Sequence, residues 1–242
     1  MESHGQNGTI ATDIDYLAMA QYCSNTNLTC VMPMPYGLRY EGLASGLYEE
    51  LNQKSVTGAI AFMRGSGYRL ACVEEGRFHL CVMSHLAFEY YEQQGKDIQM
   101  VAAFGSRSYV EQHRIFVRPD FDGNWQGCKV GLDTSSVDQE RLTRFCFADK
   151  PVQYVPIIYS QLVPFLHNGM IDAGVWSADM LPEGLSYYPM PCLDEQEKDT
   201  VAVLVCRKSD NVTAQLVRKV LSVQNVTDIQ RRVMNREIIP RY

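Results

Sequence analysis

The sequence predicts an α/β protein of two lobes, each a mainly parallel sheet with helices on its faces. The first observation is that short apolar runs of strand length alternate with runs of helical spacing along most of the 242 residues. That alternation is typical of parallel strands joined by crossover helices. The second observation is an internal repeat. Segments 59–84 and 152–177 share the order strand, polar turn, helix, glycine, strand and serine, and Gly76 matches Gly169.

The first half of the chain opens with a strand at 28–32, because this apolar run stops at Pro33. A helix is predicted over 38–53, where apolar residues recur at helical spacing. Gly42 and Gly46 share one face of it, and close approach of the sheet is expected to explain them. The other elements expected here are strands at 59–63, 78–83 and 99–103 and helices at 68–75 and 85–94, with Gly76 as the glycine after the first of these helices.

The second half continues the alternation. Strands are predicted at the apolar runs 114–117, 129–132, 153–158, 172–176 and 200–206, and helices at 137–145, 160–168 and 212–222. Ser135 and Asp138 fit a capping box at the start of the first of these helices. The chain is expected to leave the first lobe near Gly105 and to return near Thr200, so two crossing strands would form a hinge. The lobes are therefore assigned to 28–105 with 200–242, and to 106–199.

Composition excludes several classes of protein. The net charge of -6 disfavours binding of nucleic acid by this chain, and no apolar run approaches the roughly 20 residues that a membrane span needs. The first eight residues lack the features of a signal peptide, so the cytoplasm is the expected location. Eight cysteines occur without a Cys-x-x-Cys pair. They are expected to be buried, reduced thiols.

Ligands of open α/β sheets bind beyond the carboxyl ends of the strands, so residues that follow the predicted strands are the candidates. Arg39 could bind a carboxylate or phosphate, or could pair only with Glu41 or water. Segment 64–67, Arg-Gly-Ser-Gly, could hold an anion at a helix N-terminus or could be an ordinary turn. The candidates from the first half are Pro35, Tyr36, Arg39, Arg64, Gly65, Ser66, Ser84, His85 and Tyr109.

The second half offers a matching set. A structural capping role alone would explain Ser84 and Ser177, and Trp176 could either line a cleft or pack behind it. Two aspartates, Asp133 and Asp138, would repel a strongly negative ligand, which favours a polar or zwitterionic metabolite over a bare phosphate. The candidates from this half are Asp133, Ser135, Ser136, Tyr159, Ser160, Trp176 and Ser177.

Catalytic and cofactor motifs are missing from the sequence. It contains neither a Walker A loop nor a Gly-x-Ser-x-Gly elbow, and its five histidines show no metal-ligand spacing. No pair of carboxylates stands out as a general acid and base. We therefore expect a binding protein without cofactor or metal, while an enzyme remains open.

Longer motifs resemble one protein family. Met32-Pro33-Met34-Pro35-Tyr36, followed by Tyr40-Glu41-Gly42-Leu43-Ala44-Ser45-Gly46-Leu47, resembles the start of the effector domain in YhfZ-like proteins. These are bacterial regulators with a GntR-like helix-turn-helix region ahead of a type 2 periplasmic-binding-protein-like domain. The similarity runs from about residue 7 to the C-terminus. Shorter matches lie at 63–65, 82–84, 109–110, His113, 130–133, 138–139, 168–173 and 175–176.

The resemblance implies a type 2 periplasmic-binding-protein-like fold and a ligand-sensing domain of a transcription regulator. A small polar or carboxylate-bearing effector would bind between the lobes of a homodimer. DNA would be bound only through a helix-turn-helix region absent from this chain, with 1–27 as the remnant of its wing or linker. Two alternatives stay open, a lyase or dehydratase on the same scaffold and a solute-binding protein of a transporter.

Overall fold

The structure is a computed structural model that describes residues 2–3, 9–10, 14–15, 18–19, 27–52, 56–179, 181–191 and 194–242. Near the N-terminus, the two-residue strands β1 (Glu2–Ser3) and β2 (Thr9–Ile10) pair antiparallel. The rest of the described chain forms two five-stranded mixed sheets with helices packed against them. No helix in the described ranges is long and apolar enough to cross a membrane.

The first sheet belongs to the first lobe. Its strands are β3 (Asn27–Met32), β4 (Thr57–Phe62), β5 (Leu80–Ser84), β6 (Ile98–Ala103) and β12 (Ala202–Arg207). They lie in the order β4-β3-β5-β12-β6. Strand β3 is parallel to β4 and β5, whereas β12 is antiparallel to both of its neighbours.

Five helices accompany this sheet: α1 (Leu38–Leu51), α2 (Ser66–Glu74), α3 (His85–Gln93), α7 (Asn211–Val220) and α8 (Val223–Met234). The core beneath α1 joins Leu43 and Leu47 to Leu204 of β12, and all three side chains are buried. A second core on the opposite side of the sheet joins Val73 to Val205. Both faces of the sheet are therefore covered, which explains why its central strands are almost continuously apolar.

The second sheet contains β7 (His113–Val117), β8 (Lys129–Leu132), β9 (Gln153–Pro156), β10 (Ala173–Ser177) and β11 (Ser186–Pro189). Their order is β11-β7-β10-β8-β9, with β8 parallel to β9 and β10 and with β7 antiparallel to its neighbours. The helices of this part are α4 (Val137–Cys146), α5 (Leu162–His167), which follows a 3₁₀ turn, and α6 (Asp194–Asp199), which precedes the return to the first sheet.

The two sheets share one topology. Taken from its β4 edge the first sheet runs β4-β3-β5-β12-β6, and taken from its β9 edge the second runs β9-β8-β10-β7-β11. Each sheet has one strand that is antiparallel to both of its neighbours, β12 in the first and β7 in the second. In each sheet, this is the first strand that the chain forms after it crosses from the other sheet. The repeated segments take equivalent places, and Gly76 (φ 74°) and Gly169 (φ 67°) end equivalent helices in the left-handed conformation. The predicted two-lobed α/β fold is confirmed.

The two crossings run side by side and are hydrogen-bonded to each other. The Tyr109 amide donates to the Thr200 carbonyl at 2.7 Å, and the Phe104 amide donates to the Ala202 carbonyl at 3.0 Å. The Ala202 amide in turn donates to Ser108 Oγ at 2.8 Å. Any hinge motion of the lobes must therefore pass through two chain segments that are tied together.

The expectation for the two glycines of α1 was wrong in one respect. They approach helix α8 and not the sheet. A Cβ atom on Gly42 would lie 2.8 Å from the Gln230 carbonyl oxygen, and one on Gly46 would lie 2.7 Å from that of Val226. The helices α1 and α8 thus pack backbone to backbone, which leaves no room for a side chain.

Helices α8 and α6 and strand β11 were not predicted. Helix α8 does carry a sequence signal, since Val223, Val226, Ile229 and Val233 recur at helical spacing. In contrast, α6 is entirely polar and β11 is exposed along its whole length, so neither has an apolar periodicity to detect.

The cysteines behave as expected where the structure describes them. Six are free and buried: Cys30, Cys72, Cys81, Cys128, Cys146 and Cys206. Burial raises the pKa of the Cys81 thiol to about 12, so it stays protonated. The expectation for Cys23 and Cys192 falls outside the described residues.

Candidate functional site

A cavity of about 650 Å³, part of it open to solvent, lies between the two lobes. Its wall follows the carboxyl ends of β3, β4, β8 and β9, as expected for open α/β sheets. The first lobe contributes Pro33, Met34, Tyr36, Tyr40, Arg64, Gly65 and Arg69. The second lobe contributes Asp133, Ser136, Asp138, Gln139, Ile158, Tyr159 and Ser160. The crossings and the start of β7 add Tyr109, Val110, His113 and Asp199.

Half of the predicted ligand-binding residues line this cavity. They come from turns that follow strands and from the first crossing, which is where the sequence placed them. They are Tyr36, Arg64, Gly65, Tyr109, Asp133, Ser136, Tyr159 and Ser160. That they contact a ligand stays a prediction.

The two lobes touch at the edge of the cavity. Gly65 has a φ of 74°, and a Cβ atom there would lie 2.8 Å from the Ser135 carbonyl oxygen of the opposite lobe. Ser135 itself does not line the cavity, because its hydroxyl donates to Asp133 Oδ1 at 2.6 Å. The predicted capping box of Ser135 with Asp138 is therefore wrong. Ser136 takes the N-cap position of α4, with no side-chain capping bond.

Ser84 of the first lobe and Asp138 of the second form another contact between the lobes. Ser84 caps α3 by accepting from the Ala87 amide at 3.0 Å, and its hydroxyl donates to Asp138 Oδ1 at 2.7 Å. Ser84 therefore forms a hydrogen bond between the lobes and does not line the cavity, and its ligand contact stays a prediction. Burial, and then the charge of Asp199, raise the pKa of Asp138 to about 7, although the Ser84 hydrogen bond and two nearby cations oppose the shift.

A buried ion pair lies beside Asp138. His113 Nδ1 is 2.7 Å from Asp199 Oδ2, and both side chains are almost fully buried. The other ring nitrogen of His113 lies 2.9 Å from Nε2 of Gln139. Burial alone would lower the pKa of His113, but the charge and close contact of Asp199 together with the charges of Asp138 and Asp179 outweigh burial, and the pKa lies above its usual value. His113 therefore favours its charged form next to Asp199.

Arg69 supplies a fixed positive charge to the cavity wall. Its side chain is buried and donates to the carbonyls of Val82 and Met63, both at 2.9 Å, and to the hydroxyl of Tyr109 at 3.2 Å. Burial raises the pKa of Tyr109 well above its usual value, so the phenol stays protonated. These contacts lock the guanidinium in one orientation.

Tyr159 is the aromatic wall on the opposite side. Its ring stacks on Trp176, with centroids 4.0 Å apart and planes at 20°. Its amide donates to Asp133 Oδ2 at 2.8 Å, and its hydroxyl accepts from the Ser177 amide at 2.9 Å. Trp176 and Ser177 therefore lie behind the wall, and Ser177 Oγ donates to Asp179 at 2.6 Å. Trp176 and Ser177, both predicted to contact the ligand, thus hold Tyr159, a third predicted residue, in place.

Arg39 links the lobes beside the crossings and does not line the cavity. Its Nε atom lies 2.6 Å from Asp179 Oδ1, its Nη2 atom lies 2.7 Å from Glu111 Oε2, and Nη1 donates to the Arg107 carbonyl. The Arg39 carbonyl accepts from Gln230 at 3.0 Å. The Arg39 side chain is 9% exposed, so its charge stabilises the interface between the lobes.

The other predicted residues also lie outside the cavity wall. Ser66 is fully buried, with its hydroxyl 3.3 Å from that of Tyr91. His85 Nε2 is 3.6 Å from Glu89 Oε1, one turn along α3. Pro35 is half-buried in the turn after β3. Each of these positions follows a strand, but none of the three residues lines the cavity.

Several cavity residues were missed at the sequence level. They are Pro33, Met34, Tyr40, Arg69, Val110, His113, Asp138, Gln139, Ile158 and Asp199. A signal existed for two of them. Arg69 lies one helical turn before the buried Cys72 and Val73, so an arginine on an apolar helix face could have been flagged. Asp199 precedes a strong strand at the predicted hinge.

The described residues contain no group of three or more His, Cys, Asp or Glu side chains that could hold a metal ion. Among the charged groups of the cavity, His113 pairs with Asp199, Arg69 donates to two backbone carbonyls, and Asp133 accepts from two backbone amides. The chemistry that this arrangement offers is recognition by hydrogen bonds, by charge and by aromatic contact.

Comparison with known proteins identifies relatives over the whole chain. The model of the YhfZ C-terminal domain family matches residues 15–242. The YhfZ protein of Escherichia coli (strain K12) is 30% identical over all of this chain and 80% of its own length. The crystal structure of YhfZ from Shigella flexneri superposes with a TM-score of 0.79 at 31% identity, over 94% of this chain and 98% of that one.

A more distant structure has the same fold. The periplasmic aliphatic sulphonate binding protein SsuA from Escherichia coli matches with a TM-score of 0.65 at 13% identity, over 87% of this chain and 75% of that one. At this identity the likeness extends to the fold alone. The architecture is therefore the two-lobed fold of periplasmic substrate-binding proteins.

Proposed function

Since this chain belongs to the YhfZ C-terminal domain family, we propose that it is a ligand-sensing domain that binds a small polar or carboxylate-bearing metabolite between its lobes. The observation that carries the proposal is the cavity whose wall is shared by both lobes. A ligand that contacts both walls stabilises the closed arrangement over an open one. Binding is thereby converted into a change of lobe orientation.

The rim residue Arg64 supports the preference for a carboxylate. Its side chain is exposed at the cavity mouth, with Nε donating to the Tyr36 hydroxyl at 2.5 Å and the guanidinium 5.8 Å from the centre of the same ring. A guanidinium held in this way can bind a carboxylate through two hydrogen bonds.

In this proposal the output is regulation of transcription in the cytoplasm. Closure of the lobes would reorient a helix-turn-helix region outside this chain, within a homodimer that binds DNA. The support is the resemblance of the motifs at 32–36 and 40–47. The chain also spans 80% of the Escherichia coli relative, so that relative has further residues that could hold such a region.

An enzyme is the second candidate, and one observation favours it. Asp138, with a pKa near 7, and the His113–Asp199 pair line the same cavity. Groups with such shifted pKa values can transfer protons at neutral pH. A lyase or dehydratase would convert the compound that it binds. NMR spectra of the bound compound over several hours distinguish the two, since a sensor leaves it unchanged.

The proposal predicts that at least one compound in a library of small polar metabolites raises the melting temperature. We expect Arg64→Ala to weaken binding of a carboxylate-bearing hit by about ten-fold or more, as hydrogen bonds to charged groups contribute roughly 1.5–3 kcal/mol. Isothermal titration calorimetry measures the loss.

The matched control is Arg77→Ala, because Arg77 is an exposed arginine outside the cavity that pairs with Glu75. Its affinity for the same compound should equal that of the wild type. A library without any stabilising compound, or equal affinities for Arg64→Ala and wild type, would count against the proposal.

A further inference from the structure

Two carboxylates among the most buried residues of the cavity wall, a part that we call its floor, distinguish it from a simple anion site. Asp138 is 3% exposed and Asp199 is completely buried, and both line the cavity. Asp138 comes from the second lobe and Asp199 from the second crossing. The free energy of a buried carboxylate is unfavourable unless it is paired or fully hydrogen-bonded. The hydrogen-bond and ion-pair partners of these two carboxylates therefore indicate what kind of ligand group the cavity can bind.

Asp199 is only partly satisfied by the protein. Its Oδ2 atom forms an ion pair with His113 Nδ1 at 2.7 Å, but neither of its buried carboxylate oxygens has a partner with hydrogen-bond geometry within the described part of the chain. The second carboxylate, Asp138, accepts from Ser84 through Oδ1. Asp133 differs from both, because its two oxygens already accept from the amides of Ser135 and Tyr159.

Arg69, in the same wall, makes no hydrogen bond to Asp199 in the described part of the chain. Arg69 donates to two backbone carbonyls and to Tyr109, so its Nε and one hydrogen-bond direction of each Nη atom are already used. The phenol hydroxyl of Tyr159, also in the wall, accepts from a backbone amide. The carboxylate oxygens of Asp138 and Asp199 thus lie at the floor of the cavity, while Arg64, held only by Tyr36 in the described part of the chain, lies at the mouth.

We propose that the ligand carries an ammonium group that binds Asp138 and Asp199 at the floor of the cavity, with its carboxylate toward Arg64. This inference rests on the proposed function and narrows its ligand to an amino carboxylate. An ammonium has three donors, enough to reach the Oδ1 atom of Asp199 and one oxygen of Asp138 together. The wall also contains the aromatic residues Tyr40 and Tyr159, a residue type that attracts cations.

The electrostatics agree with this geometry. Burial and the charge of Asp199 raise the pKa of Asp138 to about 7, since two nearby buried carboxylates repel each other. Arg69 and His113 face Asp138 and lower its pKa in part. An ammonium ligand would stabilise the ionised form, so binding should release protons near pH 7.

The test uses four probes with the same four-carbon chain: n-butylamine, butyrate, 2-aminobutyrate and 4-aminobutyrate. Saturation-transfer NMR and titration compare wild type with Asp199→Asn and Asp138→Asn. We expect an aminobutyrate to bind most tightly and butyrate least. Each asparagine variant should weaken the amine-bearing probes by about ten-fold or more and leave butyrate unchanged or bound more tightly. The two aminobutyrates differ in the separation of their charges and report which spacing fits.

Control measurements separate this inference from the proposed function. Asp122→Asn, outside this cavity, should bind all probes like the wild type, and the melting temperature of each variant shows that it folds. Asp138→Asn keeps an acceptor for Ser84, so it tests the claim even if Asp199→Asn unfolds. The inference fails if butyrate binds as tightly as the amines, if no amine binds, or if both variants bind like wild type. The proposed function survives that failure if another library compound binds in an Arg64-dependent way.

Discussion

Gly65→Ala is expected to hold the two lobes apart and to weaken ligand binding. Gly65 has a φ of 74°, and an added Cβ atom would lie 2.8 Å from the Ser135 carbonyl oxygen across the cleft. Overpacking of this kind costs about 1–3 kcal/mol, which corresponds to roughly 5- to 150-fold in affinity when binding requires closure. Small-angle X-ray scattering should show a larger radius of gyration for the variant than for wild type.

Gly95→Ala is the matched control for backbone strain. Gly95 has a φ of 73°, but no atom lies within 4 Å of the position that its Cβ would take. Both variants should lose similar stability from the left-handed conformation, whereas only Gly65→Ala should change lobe separation and affinity. Equal radii of gyration for the two variants would mean that the Gly65 contact does not limit closure.

Asp138→Asn is expected to remove a pH-dependent loss of stability. The pKa of Asp138 is raised by burial and by Asp199 to about 7 in the folded protein, against 3.8 in the free side chain. A raised carboxyl pKa means that the folded state holds this proton more tightly than the unfolded state. The stabilisation that this proton gives the folded protein is fully present below pH 4 and is lost as the pH rises toward 7. Asparagine cannot ionise, and its oxygen can still accept from Ser84.

The measurement is the melting temperature of both proteins between pH 5 and pH 8. The difference, variant minus wild type, should grow as the pH rises. Asp149→Asn is the control, because its carboxylate is 84% exposed and its pKa is lowered by Lys150, so it is already ionised throughout this range. Parallel curves for Asp138→Asn and wild type would show that the burial of Asp138 does not shift its titration in solution.

Much of the fold could be predicted because its elements carry local signals. The segments 59–84 and 152–177 repeat one strand–helix–strand unit, and each takes the same place in its own sheet. Buried strands such as β5 and β12 are continuous apolar runs. Strand β11 could not be predicted, because an exposed edge strand needs only a neighbour to pair with. It has no buried face that would leave an apolar pattern in the sequence.

The candidate site was predictable only in part. Strand ends identify the turns that reach the cavity, which is how Arg64, Asp133 and Tyr159 were found. They do not identify which side chains turn inward, so Arg39, predicted from the same turns, instead binds Asp179. Such pairs join residues far apart in the chain, and a single sequence does not show that they meet.

In the proposed function, one ligand contacts both lobes in the cavity. Hydrogen–deuterium exchange with the compound that most raises the melting temperature tests it directly. We expect exchange to slow simultaneously in 64–69 of the first lobe and in 133–139 and 157–162 of the second, with no change around the exposed Asp122 loop. Protection confined to one lobe, or placed away from the cavity, would contradict it.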